Sequence, residues 1–250
     1  MRRHLRLGIE KVQNVVYGLY CRLLGATGAK VIHCLGDSHL KSFQYVARRY
    51  SFYNTLLHFC IVRGATASGI RNPGSRTQGY VTFANYVEHH VLDHDWILTC
   101  LGEVDCGFVI WYRSNKHGIS VAEQFALTLA HYREFLLMLK KKVGERVLVC
   151  SVPLPTIQEG RDWGEIAHLR REVRATMRER TELTIRFNKE LRSICDKEHF
   201  SFIDLQHHTL DTKTMIVHDK FLHPNPLDHH LDPRQVKPVI IAELKALGFR

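Results

Sequence analysis

The seven cysteines of this chain form no C-x-x-C pair, which removes the ligand spacing of a zinc ribbon and that of a dithiol redox centre. Their number is odd, and Cys34, Cys60, Cys100 and Cys150 fall inside apolar runs, where a small thiol side chain packs as core. A reducing compartment is therefore the expectation. Long hydrophobic runs are also missing. The N-terminal stretch has basic residues, an apolar patch and then small residues, in the order of a signal peptide, but Glu10, Lys11, Gln13 and Asn14 precede the patch and Arg22 interrupts it. The uninterrupted apolar segment is too short for a secretory signal, so a cytoplasmic location is expected. Repeats, low-complexity tracts and interdomain linkers are absent, and 250 residues suit one domain. Acidic residues are the scarcer sign, 25 against 35 basic, for a net charge of +10. Such a surface attracts anions, yet no nucleic-acid-binding module accompanies it, and no nucleic-acid partner is expected.

Among the residues that are present, Leu5, Ile9, Val12, Val16, Leu19 or Tyr20, and Leu23 recur at helical spacing, with Gly25 and Gly28 to end the segment. Residues 1–28 are predicted to form an amphipathic helix whose apolar stripe packs on the domain, or whose basic residues make peripheral contact with an anionic surface. Residues 29–250 form the domain proper. There, short apolar runs at 30–35, 57–62, 96–101, 146–152 and 200–205 alternate with helical patterns at 38–50, 76–90, 120–143, 164–199 and 233–247. Apolar runs without polar alternation suit strands covered on both faces, and the βα alternation predicts a three-layer, doubly wound α/β fold around a five-stranded parallel sheet of flavodoxin-like type. Thr181 to Thr184 marks a possible bend in the long fourth helix.

In an open parallel sheet, ligands bind beyond the carboxyl ends of the strands. The first such segment, Gly36-Asp37-Ser38-His39, turns a strand into a helix and exposes a hydroxyl beside backbone N–H groups. Asp and Ser are also ordinary helix caps, so the segment alone does not distinguish catalysis from capping. The second places Gly64 and Gly69 in a loop, where a glycine N–H can approach an oxyanion or simply serve a turn. The third, Gly102-Glu103-Val104-Asp105, brings two carboxylates to the same rim, as an acid–base pair, a loop brace, or partners for Arg113 or Arg63. The last, between Asp219 and Asp232, supplies Asp228 with His230, and the alternatives His229 and the pair Asp219 and His223. A serine hydroxyl needs an imidazole to take its proton and a carboxylate to orient that imidazole.

Taken in this order, the four segments resemble the blocks of the SGNH, or GDSL-like, hydrolase family, over roughly residues 30 to 247. The resemblance implies Ser38 as nucleophile, Asp228 and His230 as its orienting acid and base, and an oxyanion site built from the N–H groups of Ser38 and of Gly64 or Gly69. Glu103 or Asp105 would position the loop. It further implies an acyl-enzyme route without metal or cofactor, and an acylated small molecule or carbohydrate, O-acetyl esters included, as substrate. Two departures stand out. The family's third-block asparagine, an oxyanion donor, is Val104 here, and the terminal pair is spaced D-x-H where D-x-x-H is usual. Val104 keeps a non-catalytic glycan- or partner-binding protein as a second class. A metal-dependent phosphoesterase is a third, because G-D-S-H and D-H-H occur among seventeen histidines, although the further Asn-His step of such enzymes is missing.

Overall fold

A computed structural model of the chain describes residues 28–50, 52–158 and 173–250. The predicted N-terminal helix therefore lies outside the described residues, apart from Gly28. Five strands, β1 (Lys30–Gly36), β2 (Thr55–Ile61), β3 (Trp96–Cys100), β4 (Val147–Cys150) and β5 (Ser201–Ile203), pair in parallel in the order β2-β1-β3-β4-β5. This is the doubly wound order, whose direction of winding reverses beside β1 and opens a crevice at the strand carboxyl ends. The helices are α1 (Lys41–Arg49), α2 (Gly79–His90), α3 (Ile110–His117), α4 (Val121–Val143), α5 (Met177–Glu198), α6 (Leu205–Thr209) and α7 (Pro233–Ala246). A small antiparallel ribbon, β6 (Leu210–Asp211) with β7 (Ile216–Val217), follows α6.

Strand side chains alternate between two cores, as the pleat requires. Ile97, Val147 and Val149 face one core, which Phe83 of α2, Ile110 of α3, Phe135 and Leu139 of α4, and Phe187 and Leu191 of α5 complete. Leu98, Leu148 and Cys150 face the other, beneath Phe43 and Val46 of α1 and Val236, Ile240 and Leu244 of α7. The expected three-layer arrangement is thus formed, with α1 and α7 on one face and α2 to α5 on the other. Six described cysteines are free; burial pushes the thiols of Cys34 and Cys106 well up and those of Cys60 and Cys195 to about 12, and a hydrogen bond with Cys150, together with burial, pushes that of Cys100 well up, which removes these five as nucleophiles.

Two differences from the predicted elements concern local signals. The long fourth helix begins at Met177, with residues 164–172 of the predicted 164–199 segment outside the described ones and 173–176 not helical. Thr176 and Glu179 close a capping box there, each bonding the other's backbone N–H, and that start signal outweighs the apolar periodicity upstream. The helix continues through the proposed bend, and Thr181 and Thr184 donate their hydroxyls to carbonyls four residues back. The second difference is a helical stretch where none was predicted: a single π-type turn over Asp105–Val109 leading into α3. It is held by packing on α4 and α5 and by the Trp111 indole N–H on the Cys106 carbonyl at 2.8 Å, tertiary contacts that leave no periodic pattern in the sequence.

Candidate active site

Gly36 ends β1 where a Cβ would lie 2.2 Å from the Cys100 carbonyl oxygen of β3, so only glycine fits between the strand ends. The chain then turns sharply. Asp37 donates its N–H to that same carbonyl at 3.3 Å, and its Oδ1 accepts the His39 N–H at 2.8 Å, capping a 3-10 turn over Ser38–Leu40 that runs into α1. Asp37 is buried, and its Oδ2 has no hydrogen-bond partner among the described residues. Burial, opposed by His39, raises its carboxyl to about 6. The turn leaves Ser38 half-buried at the rim of the sheet.

From the other end of the chain, the loop between β7 and α7 reaches back to this serine. Its D-x-H spacing closes an Asx turn: Asp228 Oδ1 accepts the His230 backbone N–H at 3.0 Å and the His230 Nδ1–H at 2.5 Å. With Nδ1 protonated toward the carboxylate, Nε2 carries the lone pair and accepts the Ser38 hydroxyl at 2.9 Å. Burial, reinforced by His39 and His229 beside the ring, lowers His230 to about 3, so the imidazole is neutral and able to take a proton across the ordinary pH range. Burial works against Asp228, but hydrogen bonds from His230 outweigh it and hold the carboxyl below its usual range. The turn itself is pinned by Thr156, whose hydroxyl donates to the His229 carbonyl at 2.5 Å, and by Asp232, which caps α7 and donates its N–H to the Phe221 carbonyl.

The two carboxylates of the third segment have separate tasks. Asp105, fully buried, accepts the N–H groups of Ala67 at 2.6 Å and Ser68 at 3.0 Å and so ties the second loop to the third. Glu103, 2% exposed, accepts Nε2–H of His39 at 3.1 Å, and the His39 ring lies 4.8 Å from that of His230. His39 is the residue the sequence analysis passed over; the available signal was a histidine directly after the nucleophile with a glutamate in the third block. Asn188 of α5 is a second one, bonding both the N–H and the carbonyl of Val152 and so fixing the loop after β4.

Other expected site residues fall elsewhere. Gly69 directs its N–H to Thr66 Oγ1 at 2.9 Å and is thereby already engaged, whereas Gly64 sits exposed at φ 71° in the turn opened by Val62. The alternative pair Asp219 and His223 is not formed. Asp219 has no ion-pair partner among the described residues, and His223 Nε2 is 3.9 Å from Asp228 Oδ2, on the far side of the same carboxylate. The His229 ring lies against that of His230, 4.2 Å between centroids, while His230 is the one that meets Ser38. Val104 is half-buried at the start of the π turn, with no donor to offer.

No family model matches the chain, and no curated protein matches it. Solved structures do. A lipase/acylhydrolase from Enterococcus faecalis superimposes with a TM-score of 0.52 at 17% identity over 87% of this chain and 96% of that one. A GDSL-like lipase from Bacteroides thetaiotaomicron gives 0.52 at 14% identity over 92% and 98%. An acetyl xylan esterase gives 0.50 at 12% identity over 87% and 98%. The chain has the fold of the SGNH, or GDSL-like, hydrolases. No helix among the described residues is long and apolar enough to cross a membrane.

Proposed function

We propose that the protein is a serine esterase of the SGNH type that cleaves ester-linked acyl groups through an acyl-enzyme on Ser38. The single observation that carries this is the continuous hydrogen-bonded line from the Ser38 hydroxyl through His230 to Asp228. As the Ser38 oxygen attacks the ester carbonyl, its proton passes to His230 Nε2, and Asp228 stabilises the imidazolium and holds the ring in the required tautomer. The same proton then goes to the leaving alkoxide. Water, deprotonated by His230 in turn, releases the acyl group as a carboxylic acid, and Ser38 regains its proton. The Ser38 N–H, with Gly64 as the remaining second-loop candidate, supports the oxyanion. An O-acetylated carbohydrate is the substrate class we favour, because an acetyl xylan esterase shares this fold.

Fluorophosphonate labelling tests this directly. The wild type should be captured covalently at Ser38, and Ser38→Ala and His230→Ala should lose capture. Val104 favours the second reading, a protein that binds an acylated glycan without cleaving it; absence of capture in the wild type at every pH, together with retained glycan binding, would replace the esterase reading with that one.

A further inference from the structure

Among the described residues, His39, His229 and His230 form a group whose nitrogen ligand atoms all lie within 4.8 Å of one another. We infer that this triple-histidine cluster is an inhibitory site for a zinc-class dication, which silences the serine by taking the nitrogen that would accept its proton. The inference rests on the esterase reading for its consequence but not for the site itself.

Three features of the cluster suit such an ion. First, the ligand set is all imidazole, which borderline dications of the zinc type prefer, and three ligands leave a fourth tetrahedral position open. Ligands about 2.1 Å from zinc stand about 3.4 Å apart, so closure from the observed spacing requires shifts of about 1.4 Å at most, within reach of imidazole torsions. Second, each of the two buried histidines already carries a carboxylate on one nitrogen. Glu103 accepts from Nε2 of His39 at 3.1 Å and Asp228 from Nδ1 of His230 at 2.5 Å. That carboxylate–histidine arrangement orients both rings, and the two carboxyl groups beside them help to offset the charge of a dication. Third, there is an approach from solvent: His39 and His230 are 5% and 6% exposed, whereas His229 and Ser38 are half-buried at the rim.

The consequence follows from the atom used. His230 Nε2 is the atom 2.9 Å from Ser38 Oγ. A metal on that lone pair would replace the hydrogen bond and leave the imidazole no site for the serine proton. No bond is broken and no redox change is needed. Metal binding at these residues therefore inhibits acyl transfer, and chelation restores it.

Zinc chloride alone, with the full chain, tests the site. After equilibrium dialysis the wild type should retain about one zinc per chain, and cobalt(II) in its place should show the intense visible bands of a tetrahedral centre. His39→Gln and His229→Gln should each weaken retention at least about tenfold and Glu103→Gln about tenfold through lost orientation of His39. His94→Gln, in the exposed turn between α2 and β3, should change nothing and so controls for the chain's many surface histidines. In parallel, zinc should slow fluorophosphonate capture of the wild type, a chelator should restore it, and zinc should have no effect on the labelling rate within each of the His39 and His229 variants. Absence of retained zinc, equal retention by His229→Gln, or zinc bound in full while Ser38 still labels at its metal-free rate each overturns the inference. A wild type that binds zinc through the three histidines but is not labelled even under chelation supports the site and refutes the esterase reading, so the two failures are distinct.

Discussion

Acidification from pH 7 to pH 4 is expected to weaken the fold through His58, a side chain remote from the serine. His58 of β2 lies directly opposite His33 of β1, with the two rings edge to face at 5.5 Å. The Tyr86 hydroxyl of α2 bridges them. The Asp95 carboxylate takes Nε2–H of His33 at 3.1 Å, which leaves His33 Nδ1 to accept the Tyr86 O–H at 2.9 Å. The Tyr86 oxygen then accepts Nδ1–H of His58. The His90 ring lies 4.9 Å from that of Tyr86, tilted by 35°, and completes the group of titratable side chains around His58. His58 is only 8% exposed, and burial, reinforced by His33 and His90, lowers it to about 4. The sign is then determined. Between the unfolded value of about 6.5 and the folded value of about 4, the unfolded chain binds the extra proton, so stability is fully present above about pH 6.5 and is lost as the pH falls toward 4. A shift of this size corresponds to about 3 kcal/mol, a sizeable share of the ~5–15 kcal/mol that holds a typical domain together. Urea unfolding of the wild type and of His58→Gln, which keeps a donor for the Tyr86 hydroxyl but does not titrate, measures it. The stability difference between the two proteins should change by about 3 kcal/mol from pH 7 to pH 4 in the variant's favour. A difference that does not move with pH would refute the assignment of a buried, neutral His58.

Other perturbations address the site. Val104→Asn restores an amide at the third-block position and is expected to raise kcat toward an activated ester by up to about a hundredfold with KM little changed; an unaltered kcat in steady-state assays would mean that another group already serves the oxyanion. Asp105→Ala leaves the buried N–H groups of Ala67 and Ser68 without their acceptor and should cost about 2–5 kcal/mol in denaturant unfolding, with a loss of Ser38 labelling as the second loop detaches; a loss below about 1 kcal/mol contradicts the bracing role. Gly36→Ala drives a methyl into the Cys100 carbonyl between two central strands, so soluble folded protein should fall sharply and any that survives should melt many degrees lower; a wild-type Tm would show that the strand ends separate easily.

Much of the architecture was legible because it depends on local patterns. Runs such as Val31 to Leu35 and Val147 to Cys150 lack polar alternation, which only a strand covered on both faces tolerates, and the observed sheet follows. Ser120 with Glu123 and Thr176 with Glu179 are capping boxes readable as S/T-x-x-E, and the second would have located the start of α5 better than periodicity did. The π turn and α3 were not legible, because their helicity depends on packing against α4 and α5.

For the site, the linear chain determined the chemical candidates: Gly36-Asp37-Ser38 at a strand end, and Asp228 with His230 at a spacing that an Asx turn closes on itself. It could not choose among His223, His229 and His230, because that choice depends on a contact across 192 residues, made when α7 packs against α1 and its preceding loop is laid over the end of β1. The pairing of His39 with Glu103 spans 64 residues and was invisible for the same reason. Local sequence sets which backbone turns and hydrogen bonds are available, whereas the meeting of two distant side chains is a property of how the layers stack, and only the tertiary structure decided it.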